Sequence, residues 1–287
     1  MRAALLLILC ISTAGADEAR WWKGNLHTHS HWSDGDDYPE MIAAWYKERG
    51  YHFLALSDHN ILPDHEKWIG IEKSKGGFRA FEKYLARFGD QWVEQLETAG
   101  VKEVRLKMLG EYRAKIEEPG RFLMIPSEEI TSRFLSAPIH VNATNVREKI
   151  PEQTGRSIVE VMQKSVDAVL AQRAATGVPM FPHINHPNFG WAITAEELMQ
   201  VDRERFFEVY NGHPIVRDAG DARHASVERV WDIILTRRLA ELGKEAVFGL
   251  ATDDAHSYHV DSQRKPSAAP DELAETKGPA RPGRGWV

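Results

Sequence analysis

Apolar residues along this chain fall in short dense runs, separated by longer stretches with a helical period. The clearest run is 52–57, His-Phe-Leu-Ala-Leu-Ser, which reads as a strand buried on both faces. Residues 21–27, 121–126, 139–145, 178–187, 205–210 and 246–252 read as further strands and their ends. Helices fill most of the gaps. Asp36, Asp37 and Pro39 open the first, Met41, Ile42 and Trp45 give it an apolar face, and Gly50 stops it. Over 157–175, Ile158, Val161, Met162, Val166, Val169 and Leu170 share one face. Thr194 and Glu197 form a capping box for a third helix. A fourth, over 226–242, buries Val227, Val230, Trp231, Ile234 and Leu242 ahead of Gly243. About seven strands alternating with helices predict an α/β barrel of parallel strands.

Residues 63–120 break the rhythm. They are rich in Lys, Glu, Arg and aromatic residues, and the pattern predicts helices over 78–88 and 101–116. Such a helical insertion is either a solvated outer layer or a lid over a site at the strand ends, since it leaves just after His59 and returns before Glu129. The segment 263–285, rich in Pro, Ala and Gly, reads as a loop. Residues 285–287 look like the opening of one more strand.

At 287 residues, the chain suits one barrel-sized domain, expected over 21–287. Its net charge of −6 and lack of a basic run argue against nucleic acid or an anionic membrane surface as the main partner. A small anionic substrate stays open, because bound divalent metals can reverse the local field. Met1-Arg2, the apolar run 3–11 and the small residues Ala14-Gly15-Ala16 have the form of a secretory signal peptide over 1–16. The run is too short to span a bilayer, so no stable membrane association is expected. Cys10 is the only cysteine, so the mature chain would have none. Export to the periplasm or beyond is the expectation.

The chemistry begins at His27-Thr28-His29. Two histidines one residue apart on an extended chain point the same way and can grip one ion. Asp34, past a turn at 33–35, could return a carboxylate to the same place. His-x-His alone is a weak signal, but candidate ligands recur at nearly every strand end. Asp58-His59 follows the second strand and Glu128-Glu129 the third; His140 lies in the fourth, and His183 and His186 sit in the fifth. Glu208, Asn211 and His213 mark the sixth, and Asp253-Asp254-Ala255-His256 closes the seventh. Barrel enzymes place their chemistry on this face.

The ordered set resembles the PHP family, the polymerase and histidinol phosphatase domain, a group of multi-metal phosphoesterases. The resemblance covers about residues 25–258 and implies a distorted seven-stranded barrel related to the TIM barrel. It implies that His27, His29, Glu129 and Asp254 hold one ion. Glu129 would bridge to a second held by His140 and His186, and Asp34, His59 and His256 would hold a third. Ser127 stands where the family pattern has glycine, which leaves Glu128 and Glu129 both in view as the bridging residue. Asp58 would support His59, Glu208 would be a hydrogen-bond partner behind a ligand, and Asn211 and His213 would contact substrate. His183 is either a structural histidine or a substrate-facing acid, and Asp254 is the other catalytic candidate. The His-x-His of the amidohydrolase superfamily is an alternative, but the central Glu129 and closing Asp254-x-His256 favour PHP. Chains of this kind usually continue past a strand like 285–287, so this is a fragment or a short terminus.

The implied cofactors are two or three divalent ions, and imidazole with carboxylate suits Zn, Mn or Fe. Such ions lower the pKa of water and neutralise phosphate oxygens. The expected activity is hydrolysis of a small, anionic phosphate ester. The rivals are a carbamate or aryl ester hydrolase on the same scaffold, and a non-catalytic metal-binding module.

Overall fold

The computed structural model describes residues 20–259 and 278–287; the expected signal peptide and much of the C-terminal loop lie outside the described residues. Strand β1 (Gly24–Asn25) is followed by α1 (Pro39–Glu48) and β2 (Phe53–Leu56). The insertion then contributes β3 (Lys67–Gly70), α2 (Gly77–Phe88), β4 (Gln95–Thr98), β5 (Val101–Leu106) and α3 (Leu109–Ile116). The chain continues with β6 (Leu123–Phe134), β7 (Ala137–Thr144), α4 (Ile158–Thr176), β8 (Phe181–Ile184) and α5 (Ala195–Leu198). It closes with β9 (Phe206–Asn211), α6 (Val227–Ala240) and β10 (Phe248–Thr252). Among the described residues, no helix is long and apolar enough to cross a membrane.

Seven strands form one sheet in the order β1-β2-β6-β7-β8-β9-β10, curled into a nearly closed α/β barrel. A parallel bridge between Thr28 and Ala255 joins its two edges. Beside that seam, Gly24 exchanges both backbone hydrogen bonds with Val287, each 3.0 Å. The terminal residues thus run along β1. The strand expected over 21–27 pairs only at Gly24 and Asn25, against Phe53 and Leu54. Helix α1 begins with Pro39, whose missing N–H would be unsatisfied there anyway, and buries Ile42, Ala43 and Tyr46. Burying a side chain such as Ile42 or Leu54 contributes roughly 1.5–3 kcal/mol.

Two expectations are corrected. The strands are not all parallel: β6–β7 and β7–β8 run antiparallel. No helix separates β6 from β7; Leu135, at φ +53°, turns the chain directly back. In β6, Leu123–Pro126 pair with β2 and Ser127–Phe134 pair with β7. Glu129 and His140 therefore sit inside a hairpin, not past the end of a parallel strand. The insertion is also not simply helical. The helix predicted over 101–116 is β5 followed by α3, and β3, β5 and β4 make an antiparallel sheet. Val104 and Leu106 alternate with charged neighbours and are buried, the period-two signature of a strand. They join Trp32, Tyr38, Ile71 and Tyr84 in one cluster, so the insertion shares a core with the loop after His29.

Candidate metal centre

His27 and His29 are fully buried, with Nε2 atoms 3.1 Å apart. The turn after them is tied by Asp58, which accepts from the Ser30 and Ser33 amides at 2.8 and 3.0 Å and from both hydroxyls at 2.7 and 2.5 Å. Gly35 is required there, because a Cβ would lie 2.4 Å from the His29 carbonyl oxygen. This turn returns Asp34 to the histidines. Its Oδ1 lies 3.2 Å from His256, 3.6 Å from His59 and 3.8 Å from His29.

Alternation along β6 sends the two glutamates to opposite faces. Glu128 turns outward and accepts from the Ile150 amide at 2.5 Å. Glu129 turns inward, where five imidazoles surround it: His59 at 2.7 Å, His140 at 2.9 Å, His27 and His186 at 3.4 Å, and His29 at 3.5 Å. Asp254 Oδ1 lies 3.2 Å from His29, 3.3 Å from His27 and 3.5 Å from His256. Asp253 faces away, accepting from the amides of Gly283, Arg284 and Gly285 at 2.6–2.7 Å and from the Tyr46 hydroxyl at 2.5 Å.

Partners behind these groups fix which nitrogen looks inward. Glu208 accepts from His27 Nδ1 at 2.6 Å and the Thr252 hydroxyl at 2.7 Å on one oxygen. Its other oxygen accepts from the His186 amide at 2.8 Å and Asn211 Nδ2 at 2.9 Å. In the neutral ring, His27 Nε2 is then left with its lone pair toward Glu129 and Asp254. Likewise His256 Nδ1 meets the Asp254 carbonyl at 2.9 Å, and since a carbonyl can only accept, Nε2 is the free nitrogen facing Asp34.

Burial opposes charge on every member, and the neighbours decide the outcome. Burial lifts the Glu129 carboxyl, but His140, His59 and His27 hold it well below the usual range. Asp254 is held down in the same way, first by His27. Burial, with His256 and His59 beside it, takes His29 down to about 3, so its lone pair is free at neutral pH. For His59, burial is outweighed by Glu129 and Asp34, and the imidazole rises to about 9.

The donor set fits divalent cations. Asp34 Oδ1 and Glu129 Oε2 are buried without a hydrogen bond although imidazole nitrogens surround them. Among the described residues, ligand atoms lie within 4.8 Å of one another in five sets: His29–Asp34–His59–His256, His27–His186–Asp254, His27–His29–Glu129 and His59–Glu129–His140 around the centre, and His27–His183–Glu208 behind it. Compared with the implied assignment, His29 joins the Asp34 group, and His59 approaches Glu129 beside His140.

A cavity of about 360 Å³ opens over this cluster, and His213 lines it. Burial first, with nearby His256 and His186 adding to it, takes His213 down to about 4. Two further candidates lie behind the cluster. His183 is fully buried behind His27, 3.6 Å from Glu208, and does not line the cavity, so it is not placed as a substrate-facing acid. Asn211 is also buried; it donates to Glu208 and, at 3.2 Å, to Asp254 instead of facing substrate. Lys75 and Phe189, which do line the cavity, went unnoticed in the sequence. A larger cavity of about 600 Å³ lies at the opposite strand ends, against Trp22, Phe53 and Leu123, away from this chemistry.

No family model matches the chain, and no curated protein matches it. Among solved structures, it is similar to a two-domain protein of Bacteroides vulgatus containing a predicted PHP-like metal-dependent phosphoesterase. Identity is 17% and the TM-score 0.43, covering 82% of this chain and 52% of that one, so this chain spans about half its length. It is also similar to a candidate metal-dependent phosphoesterase of Bifidobacterium adolescentis, at 11% identity and TM-score 0.40, covering 81% and 87% of the two chains. An amidohydrolase of Chromobacterium violaceum with bound sulfate and no metal gives 11% identity and TM-score 0.42, covering 82% and 88%.

Proposed function

We propose that this protein is a metal-dependent hydrolase acting on small phosphate esters, using two or three divalent ions. The observation that carries this reading is Glu129, a fully buried carboxylate facing five imidazoles with Asp34 and Asp254 beside them, at the base of an open cavity. His27, His29, Asp34, His59, Glu129, His140, His186, Asp254 and His256 would hold the ions. Bound there, divalent ions would supply a water acidified toward neutral pH and positive charge against the ester oxygens. The protein's own part is positional. Glu208 and the Asp254 carbonyl keep the His27 and His256 lone pairs aimed inward, while Asp58 fixes the turn that presents Asp34. His213 stays neutral at the cavity wall; its Nδ1 accepts from the Ile215 amide at 3.3 Å, which leaves Nε2–H as a donor. Export before action remains part of the proposal.

An aryl or carbamate ester hydrolase is the second reading, favoured by Phe189 and Ile215 in the cavity wall. The test is elemental analysis of protein purified without chelator, alongside turnover of p-nitrophenyl phosphate, a phosphodiester and an aryl carbamate. Two or three ions per chain with phosphate ester turnover is the expected result. Carbamate turnover alone would transfer the assignment to the second reading, and no metal with no turnover after Mn²⁺ or Zn²⁺ is restored would refute both.

A further inference from the structure

Among the described residues lining the cavity over the cluster, Lys75 is the one lysine or arginine, and it comes from the insertion. Its Nζ lies 3.1 Å from Asp34 Oδ2, the carboxylate oxygen turned away from His59 and His256. Lys75 is half-exposed, but the turn that carries it is fixed. Ile71 is fully buried against the insertion core. The Ser74 hydroxyl donates to the Ile71 carbonyl at 2.8 Å and accepts from the Gly77 amide at 3.1 Å. Gly76 packs so tightly on the 34–36 loop that a Cβ would lie 2.1 Å from the Asp36 carbonyl oxygen. An ammonium group is therefore held at the rim beside the ligand cluster by a turn that cannot easily move. The other side of the cavity is apolar. Phe189 stands 5.1 Å from the His186 ring and 6.0 Å from that of His140, with Ile215 and Pro279 nearby.

We infer that Lys75 recognises the phosphate of the substrate, and that the substrate is a small phosphate monoester with a flat, apolar organic part lying on Phe189 and Ile215. This rests on the phosphoesterase reading above. A lysine ammonium acts as a point charge and favours the most highly charged oxygens. A monoester dianion keeps an oxygen for Lys75 after facing the cluster, whereas a diester carries one charge and a second bulky group. The cavity volume of about 360 Å³ also suits a ligand of this size.

The test compares wild type, K75A and K75R after metal loading. Readouts are metal content, inorganic phosphate affinity by calorimetry, and KM and kcat for phenyl phosphate, glycerol phosphate and bis-p-nitrophenyl phosphate. In K75A, metal content should hold while phosphate affinity falls about 10-fold or more and the KM for phenyl phosphate rises by a similar factor. K75R should recover most of this, and the diester KM should change by less than about twofold, since a diester brings no second negative charge for Lys75 to pair with. Wild type should prefer phenyl over glycerol phosphate. Unchanged phosphate affinity in K75A would overturn the assignment of Lys75, as would loss of metal, which would make it a positioning residue for Asp34. Equal KM for the two monoesters in wild type would overturn the apolar half. If wild type neither binds phosphate nor cleaves any phosphate ester, the phosphoesterase reading falls as well.

Discussion

Replacing Glu208 by Gln tests whether a carboxylate that touches no substrate controls the metal centre. Glu208 receives four donors: His27 Nδ1 and Thr252 Oγ1 on one oxygen, the His186 amide and Asn211 Nδ2 on the other. Gln offers one oxygen and one NH2 in the same space. With the NH2 toward the His186 amide and Asn211, two buried N–H groups lose their acceptor, at about 1–3 kcal/mol each. With the NH2 toward His27 and Thr252, both can adjust. The hydroxyl rotates to accept, and His27 moves its proton from Nδ1 to Nε2. The second arrangement costs less and is the one expected. It places an N–H where the His27 lone pair faces Glu129 and Asp254. E208Q should then lose only about 1–2 kcal/mol in urea unfolding of the metal-free protein, yet bind metal about 10- to 100-fold more weakly. Competition against a chromophoric chelator measures the affinity, and nitrogen shifts of labelled histidine report the tautomer. Metal affinity within about threefold of wild type, with His27 still protonated on Nδ1, would refute the reasoning.

Two other predictions concern stability. Asp253→Ala removes the acceptor for three backbone amides and the Tyr46 hydroxyl, and should cost about 2–4 kcal/mol. It should also make the chain cleavable by trypsin at Arg281 and Arg284; a protease-resistant variant with unchanged unfolding would contradict the role given to Asp253. Glu204 is buried, and burial pushes its carboxyl up to about 8 despite amide hydrogen bonds and Arg238 nearby. The folded state holds this proton where the unfolded chain has released it. Its contribution to stability is therefore full below the ordinary pKa of 4.5 and is lost as pH rises from there to about 8. Over that window wild type should lose up to about 5 kcal/mol relative to Glu204→Gln; parallel pH–stability curves for the two proteins would exclude this.

How much was legible depends on whether a residue's role is local. His27 and His29 could be placed because period two along extended chain fixes their direction; Asp254, at φ +47° past the end of β10, lies outside that rule, and only the family spacing put it with His256. Glu129 could be placed as a candidate but not told from Glu128 until the β6 register showed which face was inward. The antiparallel hairpin was hidden because 127–144 contains no Asn-Gly or Asp-Gly turn signal. The strand β5 was hidden by charged residues on its exposed face, which suit a solvated helix equally well. Lys75 had no local signal at all: its relation to Asp34 exists only because Gly76 packs on the 34–36 loop. His183 stays open between a structural and a substrate-facing role in the sequence, since residue type and position near a candidate ligand say nothing of which side of β8 it occupies.

The backbone shows why the ligands behave as one unit. His186 and Asp254 have φ of +22° and +47°, and Asn60, after His59, has φ +49°. Left-handed backbone at non-glycine residues costs about 1–3 kcal/mol each, and here each is tied to another ligand-bearing segment. The His186 amide donates to Glu208, which also holds His27. The Asp254 amide donates to the His27 carbonyl at 2.9 Å. The Asn60 amide donates to the Glu129 carbonyl at 2.9 Å, while its side chain donates to the Thr131 carbonyl and accepts from the Thr131 amide, each at 2.9 Å. Shifting one ligand thus releases strain in two strands at once, and the barrel seam at Thr28 and Ala255 closes the circuit. Substitutions inside the cluster should therefore disturb several ligands together. The rim joins this circuit at two points, since the Phe189 amide donates to the His186 carbonyl at 2.8 Å and Lys75 reaches Asp34 at 3.1 Å, so substitutions there should be read by metal content as well as by KM.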